Sequence, residues 1–217
     1  SRISHDIRTP LSAISNMTEF ALEDLNDQAK LKNDLLKIRT SNEFLLSLIN
    51  DILDISKIDS GKVEFNPEPY PYQEYITRIK NMFEPLCAQK NIKFIIMPRL
   101  QTVGTMLADK IRINQITLNL ISNAIKYTPP GGTVTYISHS RNLPADRMLF
   151  SFEIKDNGIG MSEAFLKVMF EPFTQEHNNP RRPQGLTGTS LGLSIVKHVV
   201  DQMGGTLTVK SKLGQGT

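Results

Sequence analysis

His5 lies within Ser4-His5-Asp6-Ile7-Arg8-Thr9-Pro10-Leu11, and far downstream the chain carries Asn119 with Asn123, then Asp156-Asn157-Gly158-Ile159-Gly160, then a glycine-bearing run from Gly185 to Leu193. A neutral imidazole is a nucleophile. Asp6 is placed to accept a hydrogen bond from one ring nitrogen, which leaves a lone pair on the other. Ile3, Ile7, Leu11 and Ile14 recur at helical spacing as an apolar seam, and His5 falls two positions off it, toward solvent, where a second domain can reach it. Thr9 is one helical turn further on nearly the same face, where a hydroxyl can orient a water; equally, it precedes Pro10 and shapes the bend that a missing backbone donor should produce.

The downstream residues suit a nucleoside triphosphate. Asn119 and Asn123 are four apart and so share a helical face, with Lys126 three residues on. Two neutral oxygen ligands and a cation fit a magnesium-bridged triphosphate, because magnesium keeps several waters and takes few protein ligands; a merely polar helix face would look the same. Asp156 ends a strand, where its carboxylate can accept the exocyclic amine of adenine, while Gly158 and Gly160 let the backbone pass close to a flat base. A simple strand-exit turn is the plain alternative.

Thr187, Gly188, Thr189, Ser190, Leu191 and Gly192 lead into a helix and would expose backbone N–H groups to a phosphate at the positive end of its dipole. This is neither the lysine-bearing phosphate loop nor a dinucleotide fingerprint, so those two nucleotide folds are disfavoured. Between the glycine segments, residues Gln175 to Gln184 are polar and almost devoid of core-forming side chains. They read as a mobile lid, with Arg181 or Arg182 able to approach phosphates and Phe170-Glu171-Pro172-Phe173 as an aromatic hinge.

The elements that must position these residues fall into two groups. Leu35, Ile38, Leu45, Ile49 and Ile52 form a heptad seam, with Asn42 between Ile38 and Leu45, and a first amphipathic segment ends near Leu25 before the polar turn Asn26-Asp27. Two such helices make a hairpin that cannot bury its seams alone; a second copy would complete a four-helix bundle. Asp59-Ser60-Gly61-Lys62 stops the second helix, and Asn66-Pro67-Glu68-Pro69-Tyr70-Pro71 cannot continue one, which puts a domain boundary near residues 61–68. Beyond it the pattern predicts helices Tyr72–Gln89, Lys110–Tyr127 and Leu191–Gln202, with strands Lys93–Met97, Thr133–Ser138, Leu149–Lys155 and Thr206–Lys210. Without regular βαβ repetition this is an α/β sandwich, helices on one face of a mixed sheet.

Composition bounds the function. With 217 residues and 39% hydrophobic side chains, there is material for two modest cores. The net charge of +3 is too small to make nucleic-acid binding the main activity. Residues 1–66 hold 8 Lys/Arg against 11 Asp/Glu, and residues 67–217 hold 17 against 11, so the phosphate-binding half is the positive one. No apolar run is long enough to span a bilayer, and the single cysteine, Cys87, suits a reducing compartment.

Taken together, the motifs resemble those of the catalytic core of a two-component sensor histidine kinase over almost the whole chain. Ser4–Leu11 is similar to that family's phosphoacceptor box, Asn119–Tyr127 to its N box, Asp156–Gly160 to its first glycine box, Phe170–Phe173 to its F box and Gly188–Leu193 to its second glycine box. The resemblance implies an α+β chain: residues 1–62 as a dimerisation and histidine-phosphotransfer domain, 63–68 as a linker, and 69–217 as an ATP-binding domain of the Bergerat type shared with gyrase B and heat-shock chaperone ATPases. It implies autophosphorylation of His5 from ATP, with Asp6 as its hydrogen-bonding acid or base, and onward transfer to an aspartate of a response-regulator receiver domain. Thr9 matches the position tied to dephosphorylation of that partner. Asn123 would hold Mg2+ with help from Asn119, Lys126 would touch phosphate, Tyr127 would lie over the nucleotide, and Asp156 would read adenine.

The expected setting is a cytoplasmic homodimer without nucleic acid or direct membrane contact, whose parent protein is anchored at the inner membrane face; a hybrid kinase is within the resemblance. Two departures stand out. Ser190 replaces the middle glycine of the second glycine box, the motive for a rival reading as a degenerate nucleotide-binding dimeric scaffold. The family also adds a final strand after Gly214-Gln215-Gly216-Thr217, so the chain reads as a piece of something longer. A third reading, an ATPase clamp without a phosphoprotein, has no use for the His5 hairpin.

Overall fold

The computed structural model describes residues 2–59, 65–100, 104–143, 147–176, 179–181 and 190–217, with only the backbone described at 2–6, 44, 47, 51, 54–59, 142–143 and 147–148. In chain order the elements are α1 (Arg2–Glu23), α2 (Gln28–Asp59), β1 (Glu68–Pro71), α3 (Tyr72–Gln89), β2 (Lys93–Arg99), β3 (Thr105–Ala108), α4 (Lys110–Tyr127), β4 (Thr133–Leu143), β5 (Arg147–Asp156), α5 (Glu163–Leu166) and α6 (Gly192–Gln202). They divide into two compact units. One is Ser1–Val63 with Glu171–Thr174 and Thr187–Ile195, and the other is Glu64–Phe170 with Gln175–Leu186 and Val196–Thr217.

In the first unit, α1 and α2 pack as the expected hairpin. Asp27 makes the turn, since its Oδ1 accepts from the N–H groups of Ala29 (3.2 Å) and Lys30 (3.1 Å), satisfying donors that the start of α2 leaves open. The Lys30 N–H in particular holds the Asp27 carboxyl below its ordinary range. α1 runs through Pro10, which is buried. The heptad seam is only half satisfied within one chain: Ile38, Leu45 and Ile52 are half-buried, whereas Leu35 and Ile49 join Leu11, Leu46 and Leu53 among the exposed apolar side chains.

The second unit carries the mixed sheet. Its order is β2-β4-β5, with β2 parallel to β4 and β4 antiparallel to β5. Alternation along β4 buries Val134, Tyr136, Ser138 and Ser140 beneath the helices α3 and α4. The proline-dense stretch forms an element that was not anticipated. Glu68 to Pro71 pairs antiparallel with Ala108 to Thr105 as a two-stranded ladder, where an edge tolerates Pro69 and Pro71 and Tyr70 is fully buried.

Among the described residues, the expected strand Thr206–Lys210 pairs with no other strand. Leu207 and Val209 alternate as half-buried positions, and the end of β5 is engaged by the terminus, Asp156 N–H donating to the Thr217 carbonyl at 2.9 Å. Period-two hydrophobicity marks an orientation, and a strand also needs a partner edge in register.

A directed chain of hydroxyls fixes α4 against the core. Thr117 Oγ1 donates to the Ile113 carbonyl (2.8 Å), so it accepts from Tyr75 (2.7 Å), whose oxygen in turn accepts from Tyr136 (3.0 Å). Burial pushes both tyrosine hydroxyls well above the usual phenol range, so they remain donors. Among the described residues, no helix is long and apolar enough to cross a membrane.

Candidate functional site

Asp109 sets where α4 begins. Its Oδ1 caps the helix by accepting from Arg112 N–H at 3.0 Å, and its Oδ2 accepts from Asn66 N–H at 3.2 Å. With that start, Ile113, Ile116, Ile121 and Ile125 turn inward, and Asn119, Asn123 and Lys126 follow one another along a half-buried flank. Asn119 Nδ2 donates to the Gln115 carbonyl at 3.1 Å, and Lys126 Nζ lies 5.1 Å from the centroid of the Tyr127 ring.

The loop after β5 is seated on the carboxyl end of this helix. Ile159 N–H donates to the Tyr127 carbonyl at 3.1 Å. Gly158 is buried so closely that a Cβ would strike that same carbonyl, which is the physical reason for glycine here. Gly158 N–H donates to Asp156 Oδ1 at 2.8 Å. Burial raises the Asp156 carboxyl above its ordinary range, and backbone hydrogen bonds from Gly158 and Thr217 oppose that rise. Gly160 has φ +65°, and a Cβ on it would collide with the Lys212 carbonyl. The terminal turn therefore closes over the loop, with Gly214 N–H donating to the Ile159 carbonyl at 2.7 Å and Met161 N–H to Ser211 Oγ at 2.8 Å.

So Tyr127, Asp156, Gly158 and Gly160 come together. In the other unit, Ser190 has φ +57° and Phe173 φ +62°, both in the region glycine favours, and Leu191, directly before α6 begins at Gly192, is fully buried. Thr187, Gly188 and Thr189 lie outside the described residues, as do the side chains of His5 and Asp6, whose backbone belongs to α1. Thr9 is on α1 and exposed.

Sequence reasoning missed two residues. Glu176 and Asn179 fall in the stretch read as a mobile lid, yet Asn179 is buried and bonded to the Gly160 carbonyl. Arg181 lies where a Cβ on Gly214 would meet its guanidinium. The Asn179-Pro180-Arg181 turn was the available signal, hidden because a buried polar side chain leaves no hydrophobic trace.

Comparison with known proteins gives the same picture. Residues 1–61 match the His Kinase A (phospho-acceptor) domain, and residues 108–217 match the histidine kinase-, DNA gyrase B-, and HSP90-like ATPase family. The autoinducer 2 sensor kinase/phosphatase LuxQ of Vibrio parahaemolyticus is 38% identical over 216 residues, 100% of this chain and 25% of LuxQ. Full-length ShkA in complex with AMPPNP is 28% identical with a TM-score of 0.67, covering 99% of this chain and 43% of ShkA. Histidine kinase ThkA in complex with response regulator TrrA shares the fold at 22% identity and a TM-score of 0.68, over 94% of this chain and 54% of that one. A phosphoacceptor helical hairpin joined to an ATP-binding α/β module makes this chain a member of the sensor histidine kinase family. The chain spans about a quarter of the length of its relative LuxQ.

Proposed function

We propose that the chain transfers the γ-phosphoryl group of ATP to His5 and then to an aspartate on a response-regulator receiver domain. A ring nitrogen of His5 forms the new N–P bond as the bond from phosphorus to the departing ADP oxygen breaks, and the proton on the other ring nitrogen moves toward Asp6. Such transfers ask the protein for positioning and charge neutralisation more than for covalent work. The observation that carries this reading is the seating of the Asp156–Gly160 loop on α4 through Ile159 and Tyr127, which holds the half-buried Asp156 carboxyl beside the N-box helix and so supports it as the adenine acceptor.

Asp156 accepts from the adenine amine, Tyr127 covers the nucleotide, Lys126 contacts phosphate, and residues Thr187 to Gly192 cradle it. The donor set suits magnesium. Asn119 and Asn123 offer neutral amide oxygens one turn apart, and donation by Asn119 Nδ2 to Gln115 leaves its oxygen as the ligand atom. Asn123, helped by Asn119, would hold Mg2+, which when bound neutralises phosphate charge. Thr9 orients a water for dephosphorylation of the regulator.

Residues 1–62 form the dimerisation and phosphotransfer domain, 63–68 the linker and 69–217 the ATP-binding domain. The exposed leucines of the hairpin support a homodimeric four-helix bundle, and the ThkA–TrrA complex supports a receiver domain as partner. The chain would work in the cytoplasm, its parent anchored at the inner membrane face.

The test is to incubate the chain with Mg2+ and labelled ATP and map the modified residue. Label at His5, stable to base and lost in acid, is expected, and His5→Gln should abolish it while leaving ATP affinity nearly intact. Equal labelling of that variant overturns the assignment. Label that appears nowhere, with ATP still bound, would favour the degenerate scaffold for which Ser190 is the motive.

A further inference from the structure

The first glycine loop is gripped by side chains that belong to none of the recognised boxes. Asn179, only 6% exposed, donates from Nδ2 to the Gly160 carbonyl (3.1 Å) and to Glu176 Oε2 (3.0 Å), while its Oδ1 accepts from Arg181 N–H (3.1 Å). Glu176 turns its other oxygen, Oε1, to Ser162 N–H at 2.9 Å. Both carboxylate oxygens and both ends of the amide are thereby engaged in one closed circuit running from Gly160 to Ser162 and from Glu176 to Arg181.

The circuit controls a backbone with little other freedom. Gly160 is in the left-handed region and abuts the Lys212 carbonyl, so on that side it has nowhere to move; on the other, Asn179 holds its carbonyl. Four residues before Gly160, the same loop presents Asp156, itself tied back by Gly158 N–H. A loop pinned at Tyr127, Lys212 and Asn179 has its carboxylate at one fixed height relative to α4.

We propose that Asn179 and Glu176 are positioning residues for the adenine pocket, acting through the Gly160–Ser162 backbone on Asp156 without touching the nucleotide. The proposal rests on Asp156 as the adenine acceptor. Its signature is loss of base discrimination: removing the circuit lets the loop drift and misplaces the base acceptor, while phosphate contacts made elsewhere are kept. A residue that only stabilised the fold would weaken all ligands alike.

The experiment measures binding of ATP, GTP and inorganic triphosphate, with Mg2+, to the 217-residue chain and to Asn179→Ala, Glu176→Ala and Asp156→Ala. The expected result is an ATP affinity about tenfold lower in the Asn179 and Glu176 variants, a loss of about 1.4 kcal/mol. The ATP preference over GTP should shrink, triphosphate binding should be unchanged, and the KM for ATP should rise by more than kcat falls. If Asp156→Ala loses discrimination while the other two keep it, the positioning role is overturned and the adenine reading stands. If all three keep it, both are overturned. Should Asn179→Ala fail to fold, the half-buried Glu176→Ala carries the same comparison.

Discussion

The backbone N–H of Phe173 donates to the carbonyl of Ser190 at 3.1 Å, and both residues hold left-handed backbone, at φ 62° and 57°. Two non-glycine residues in that region, tied to each other, join the F box to the second glycine box. An L side chain there costs roughly 1–2 kcal/mol.

Ser190→Gly should therefore stabilise the chain. Glycine removes that strain and loses about 0.5–1 kcal/mol through its freer unfolded state. A net gain of about 0.5 kcal/mol corresponds to a thermal midpoint raised by about 1–2 °C. Calorimetry of the parent, Ser190→Gly and Ser190→Ala checks this, with no rise expected for alanine. A midpoint lowered by glycine would mean that the serine is not strained there.

Tyr75→Phe removes the middle of the hydroxyl chain, leaving Thr117 Oγ1 without its donor and the buried Tyr136 hydroxyl without its acceptor. The expected cost is about 1–3 kcal/mol, read from urea unfolding at pH 7. An unchanged midpoint would place the anchoring of α4 in its apolar contacts alone.

Leu46→Glu with Leu53→Glu tests the surface of the hairpin. Both leucines are about half exposed within one chain, and the parent chain is expected to bury them in a dimer. Light scattering should shift from dimer to monomer mass while helix content at high concentration is kept. A parent chain that is already monomeric, with a melting midpoint independent of concentration, would defeat the four-helix bundle.

How far the sequence reached depends on what leaves a hydrophobic trace. α3 and α4 fall on their expected limits because their isoleucines and aromatics repeat at helical spacing against polar flanks. β1 and β3 left no such trace. A four-residue ladder containing two prolines looks like a linker until Tyr70 is seen at zero exposure. At the site, the two glycines of Asp156–Gly160 read from the sequence as room for a flat base, whereas the Tyr127 and Lys212 carbonyls are what stand where their Cβ atoms would be. Asn179 was not legible, since a buried amide among polar neighbours resembles an exposed one until its partners are known.

Asp156→Asn should trade function for stability in a pH-dependent way. Burial raises the folded-state pKa of Asp156 above the 3.8 of a free aspartate. Between 3.8 and that raised value the native state binds more protons than the unfolded one, so stability falls as pH rises through this window. The penalty is fully present above the folded pKa and absent below 3.8. Asparagine is never charged, and its Oδ1 can still accept from Gly158 N–H, so the variant should melt higher than the parent at pH 7. That advantage should fade as pH is lowered toward 3.8. ATP affinity should fall at every pH, because an amide NH2 placed against the adenine amine sets donor against donor. Melting both proteins from pH 7 down to pH 4, with ATP titrations alongside, decides the matter; an advantage independent of pH would mean that the carboxylate is not penalised by burial.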